Sequence, residues 1–262
     1  MKARIKQKLC HKEGKSVNQT PKILLVILFL FVSQLSKGNN PDPIFSSSKY
    51  NFFHTAESLY IIGDYYSALQ NFENASIKKV VNRNPETQFK IAYSYYKTGN
   101  YDSSASLFYK LYNDHQFLTK YSRYFYTRSQ WKLNQENGLQ EASVYINTYR
   151  NHALADSLLI PVSDAYFEQG NFKEANKYYQ LAQKQKISRE ITVYAKIQSA
   201  YCAYYSGSKK QALSEFYQII RRYPGEKETA LLVENLRRDE PAFYEENFFN
   251  FLDVYFNNEQ YT

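Results

Sequence analysis

The chain has 262 residues, 44% of them hydrophobic and 22% charged, which excludes a wholly disordered protein and fits one large or two ordinary domains. Eight glycines and seven prolines suit a helical chain with short turns. The net charge of +8 comes from residues 1–38, which hold eight of the 33 basic and one of the 25 acidic residues; the remaining 25 positive and 24 negative charges nearly cancel, so the rest of the chain gives no case for nucleic-acid binding.

Residues 1–38 read as a targeting segment. A basic stretch precedes an uninterrupted apolar run from Ile23 to Val32, which is short for a bilayer span and fits the core of a signal peptide. Ser36-Lys37-Gly38 offers a small-x-small cleavage site, so a mature chain is expected to begin at or near Asn39. The basic region is long, and an uncleaved anchor through residues 23–35 is the alternative. Either reading expects an exported chain in the periplasm or cell envelope, touching membrane only through an uncleaved leader. No cysteine follows the apolar run to carry a lipid. Cys202 is alone beyond the leader, so a cleaved chain forms no intramolecular disulfide. Residues 39–45, with Pro41 and Pro43, read as a linker.

From about Ser46 the chain repeats itself. The clearest unit is YFEQGNFKEANKYYQLA, Tyr166 to Ala182: a helix end, a turn at Gly170-Asn171, and a second helix. Small Ala175, five residues after the glycine, lets paired helices approach; Tyr179 and Ala182 continue that face. The same spacing joins Gly63 to Ala68, Phe72 and Ala75, and Gly99 to Ser104, Phe108 and Leu111. It also joins Gly207 to Ala212, Phe216 and Ile219, before RRYPG closes the unit at Pro224. The third unit is degenerate, its turn read at Asn137-Gly138 with Ala142, Ile146 and Tyr149 behind. Pro161 is expected to start or bend the first helix of the fourth.

The segments GDYYSALQNFENA, GNYDSSASLFYKL, GNFKEANKYYQLA and GSKKQALSEFYQI are similar to the tetratricopeptide repeat family, whose unit is a helix–turn–helix of about 34 residues. The resemblance covers residues 46–224, five repeats, with residues 225–262 as a partial sixth. It implies an all-α, right-handed superhelical solenoid with first helices on a concave wall and a non-catalytic scaffold that binds a protein or peptide. Carried over residue by residue, the groove positions would include Tyr50, Phe53 and Tyr60, then Phe89, Tyr93 and Tyr96. Tyr124 and Trp131 follow, then Phe167, then Tyr194, Tyr201 and Tyr204. Rings with polar tips favour binding surfaces, and the same positions also suit packing between adjacent helices. Where some cytosolic members grip a C-terminal carboxylate with Lys and Asn, this chain carries Phe53, Glu57, Phe89 and Tyr93, which disfavours that adaptor role.

No cofactor, metal or catalytic residue is expected. His54, His115 and His152 lack partners at metal-ligand spacing and suit surfaces or turns. Glu245-Glu246 and Asp239-Glu240 suit solvation and capping, and Cys202 a buried, inert thiol. The exported leader, helical repeats and RRYP ending also resemble the non-catalytic part of periplasmic lytic transglycosylases; the catalytic glutamate motif of that group has no match. The sensor portion of a membrane signalling protein is a third reading. After Pro224 a helix is expected from about Glu226 to Arg237 and another from near Phe243. Asn258-Glu259 then reads as a turn lacking its second helix, so a longer protein or a partner is expected at that end.

Overall fold

The computed structural model describes residues 47–75, 84–185 and 187–258. The expected signal core, cleavage site, linker and final four residues lie outside them. The described residues form thirteen α-helices and no strand. In chain order these are α1 (Ser47–Ile62), α2 (Tyr65–Asn74), α3 (Pro85–Thr98), α4 (Tyr101–Asn113), α5 (Thr119–Leu133), α6 (Gln135–Thr148) and α7 (Ala153–Glu168). There follow α8 (Phe172–Lys184), α9 (Arg189–Tyr205), α10 (Lys209–Arg222), α11 (Lys227–Asp239), α12 (Pro241–Glu246) and α13 (Phe248–Asn258). From α3 to α10 each helix packs mainly on its neighbours in sequence, as in an all-α solenoid of helix–turn–helix repeats, while α13 packs on α11 and α10. None among the described residues is long and apolar enough to cross a membrane.

Four turns are built alike. Gly63, Gly99, Gly170 and Gly207 all take positive φ, between 76° and 93°, which glycine adopts without the strain other residues meet. At the first, Gly63 N donates to the Tyr60 carbonyl and Asp64 N to that of Leu59, closing the end of α1. The following residue starts the second helix. The side chains of Asp64, Asn100 and Asn171 accept from backbone N–H groups three residues on, satisfying donors the first turn would leave unpaired.

The third repeat corrects the register. Its turn lies at Asn134, where α5 ends and α6 begins, with Asn134 capping Asn137 N at 3.0 Å. Gly138 is no turn residue. It sits inside α6, where an added Cβ would lie 2.2 Å from Trp131 Cα. It therefore occupies the small-residue position taken by Ala68, Ser104, Ala175 and Ala212, all fully buried where paired helices cross. Serine serves at Ser104 because its hydroxyl meets that of Ser129 at 3.0 Å inside the crossing.

Two helix expectations also change. The helix start expected at Pro161 does not occur: α7 begins at Ala153 behind His152, whose Nδ1 accepts from Leu154 N, and runs through the proline. An interior proline costs about 3 kcal/mol. Buried Leu158, Leu159 and Val162 flank it, and burial of such side chains contributes about 1.5–3 kcal/mol each, enough to hold the helix. Near the end, α11 matches the first expected helix. The second is broken at Asn247, whose side-chain amide donates to the Phe243 carbonyl and competes with helix continuation. Asn258, the last residue of α13, is a buried tie, its amide donating to the Pro224 carbonyl at 2.8 Å; the rest of the expected turn, from Glu259, lies outside the described residues. Phe251 and Val254 pack into one core with Ile220, Val233 and Leu236, while Phe249 and Phe256 of the same helix stay exposed.

Candidate protein-binding face

The odd-numbered helices α1 to α11 are the first helices of successive pairs. Their expected binding residues divide by environment. Phe89 (3% exposed) and Tyr124 (8%) are buried; Phe53, Tyr60, Tyr93, Tyr96, Trp131, Phe167, Tyr194, Tyr201 and Tyr204 are half-buried. The side chain of Tyr50 lies outside the described set. Phe53 packs on Phe72 in the α1–α2 core, and Phe89 packs on Phe108, Phe117 and Phe125. Those two rings are packing elements.

Seven of the others fall into two runs. In the first, Tyr60 meets Tyr93, Tyr93 meets Tyr96, and both Tyr93 and Tyr96 pack edge-on against Phe125, which abuts Tyr124. This links α1, α3 and α5. In the second, Phe167 on α7 meets Tyr205 on α9, which stacks with Tyr201 and meets Tyr204 edge-on. Ring centroids lie 5.0–6.4 Å apart in both runs, where edge-to-face and offset contacts are favourable. Trp131 stands apart from both, its backbone held against Gly138.

The hydroxyls of these rings tie first helices together. Tyr124 bonds Ser157 at 3.1 Å, joining α5 to α7. Tyr194 donates to Asp164 Oδ1 at 3.0 Å, joining α9 to α7, and Tyr179 of α8 donates to the same oxygen at 2.5 Å. Asn235 donates to the Tyr201 hydroxyl, joining α11 to α9. Tyr204 donates to Glu240, which also pairs with Lys209 at 2.7 Å. Glu240 is thus an inter-helix tie rather than the solvated cap its sequence suggests. Burial pushes the Asp164 carboxyl up to about 6, against the opposing effect of its two tyrosine donors, with Glu168 adding to the rise. Burial pushes the Cys202 thiol up to about 12, with Asp164 contributing, which keeps it protonated and unreactive at neutral pH.

Sequence reasoning missed three members of this face: Arg128, Asp164 and Tyr205. Tyr205 adjoins Tyr204 and was legible as an aromatic one step around the helix. Arg128 and Asp164 are charged residues inside aromatic-rich first helices, a signal that a search confined to rings passes over. His152 works as a helix cap, with burial and then Lys120 lowering its pKa. No group of three His, Cys, Asp or Glu side chains among the described residues is placed to hold a metal.

These hairpins define a class: an all-α scaffold of helix–turn–helix repeats. Residues 86–116, essentially α3 and α4, match the family model Tetratricopeptide repeat. No curated relative matches the chain. Solved structures similar to it include the nearly identical TPR-like repeats of a Podosopora anserina kinesin light chain, at 14% identity and a TM-score of 0.46, covering 66% of this chain and 93% of that one. A Rap protein complexed with competence and sporulation factor is similar at 13% identity and a TM-score of 0.41, covering 99% and 89%. The TPR domain of P58(IPK) follows at 17% and 0.34, covering 82% and 62%.

Proposed function

We propose that this chain is a non-catalytic scaffold that binds a protein or peptide segment along its first-helix face. The observation that carries the reading is the double run of rings, most of them half-buried and several held by hydroxyl ties between helices. Large rigid aromatics lose little entropy on binding and recur as binding hot spots. Trp131 and Tyr204 serve as test positions, with Tyr109, a 44%-exposed ring on second helix α4, as the control. Trp131→Ala and Tyr204→Ala are expected to reduce partner recovery at least tenfold from a tagged full chain at a temperature where both variants are folded, Tyr204→Ala melting somewhat lower for loss of its tie to Glu240. Undiminished recovery with both, or loss with Tyr109→Ala alone, overturns the reading.

The same proposal places the scaffold in the cell envelope, supported by the basic and apolar leader through Val32. Intact-mass measurement of the chain from fractionated cells is expected to find it in the envelope fraction beginning near Asn39. Recovery of an unprocessed chain from the cytosol refutes the location.

A further inference from the structure

Two charged side chains on the first-helix face are held by neutral partners alone. Arg128 of α5 donates from Nη1 to the Tyr124 hydroxyl at 3.4 Å, with Tyr96 nearby. Asp164 of α7 accepts from Tyr179 and Tyr194. Both residues are half-buried. Among the described residues no carboxylate forms an ion pair with Arg128, and no cation forms one with Asp164. Charges withdrawn from water are ordinarily paired, because partial desolvation costs several kcal/mol that neutral hydrogen bonds only partly offset. The tyrosine hydroxyls also fix each charged group in place, which preorganises it for an incoming opposite charge.

Their relative position follows from the tie between Tyr124 and Ser157. Short connections make consecutive helices antiparallel, so α5 and α7 run the same way. The Arg128 guanidinium meets the Tyr124 hydroxyl and so lies beside Ser157, while Asp164 lies two turns beyond Ser157. The offset along the axis is therefore roughly two turns, about 10 Å. The two charges thus sit on the order of 10 Å from each other. An extended chain advances about 3.3 Å per residue, so side chains two to four residues apart match that separation.

We infer that this part of the face takes an extended peptide segment carrying one acidic and one basic side chain two to four residues apart, the acid meeting Arg128 and the base meeting Asp164. The inference rests on the peptide-binding reading above and names its specificity. It is tested by fluorescence polarisation of the full chain against capped, labelled octapeptides of Gly, Ala and Ser. These carry one Glu and one Lys in either order at spacings of one to four, or Glu alone, Lys alone, or neither. One order at spacings of two to four is expected to bind at least tenfold tighter than the uncharged parent. Arg128→Gln should abolish the gain from Glu and keep that from Lys; Asp164→Asn should do the reverse, and melting temperatures confirm that both variants fold. Equal binding of charged and uncharged peptides, or an indifferent response of the variants, overturns the inference and leaves the wider reading standing. Binding of none of the peptides also overturns it, while the Trp131 and Tyr204 variants test the wider reading separately.

Discussion

At the scale of single residues, Gly138 shows how one position can be read in two ways. Its type suggested a turn, since glycine after asparagine commonly supplies one. Packing assigns it instead to the helix crossing, because Trp131 leaves no room for a Cβ. Alanine is the better helix former by about 1 kcal/mol, but overpacking a crossing costs about 1–3 kcal/mol, so the clash wins. Gly138→Ala is accordingly expected to lower the melting temperature in thermal denaturation; a higher one would return the glycine to a permissive site. Asp164 gives a second prediction. Its folded carboxyl sits at about 6, above the ordinary value of 3.8, with burial as the main cause. Between those values the folded state holds a proton that the unfolded state releases, so stability from this group is full below about pH 4 and declines as pH rises through 6. The loss is on the order of 1–3 kcal/mol. Melting curves of the full chain and Asp164→Asn between pH 4 and 7 should show the unsubstituted chain losing more stability with rising pH; parallel curves would contradict the assignment.

At the scale of helices, the repeat was legible wherever turn, cap and small residue followed one another in the sequence. Gly170, Asn171 and Ala175 spell this out, and Gly63, Asp64 and Ala68 repeat it. The third unit hid because Leu133 stands where a glycine was sought, while its cap Asn134 kept the pattern. Asparagine or aspartate ahead of the second helix was a second signal, kept in the third unit where the glycine is lost and replaced by Ser208 in the fifth where the glycine is kept. The last pair hid for another reason: apolar residues surround much of α12 and α13, and periodicity alone could not say which were covered. Phe251 and Val254 are covered, whereas Phe249 is 84% and Phe256 68% exposed. Ala175 is completely buried at its crossing. Ala175→Leu is expected to destabilise by about 1–3 kcal/mol in denaturant titration. No change in the midpoint would mean that the crossing accommodates bulk, against the role given to the small position.

At the scale of the molecule, the sequence made the class of fold plain and the candidate face only partly so. Rings at helical spacing serve equally well as core or surface, and only the folded chain separates Phe89 from Tyr96. The hydroxyl network was less legible still, because it joins residues some 30 positions apart, such as Asp164 with Tyr194 and Asn235 with Tyr201. These ties fix one first helix against the next and hold the ringed face in register. The central claim is that this face, and not the second-helix side, meets the partner. The most direct measurement is photo-crosslinking in the native cells, with a benzophenone amino acid placed singly at Tyr96, Trp131 or Tyr204, and at exposed Gln180 or Gln218 on second helices. One discrete adduct shared by the three first-helix positions and absent from the two controls is the predicted result. Adducts confined to Gln180 and Gln218 would contradict it.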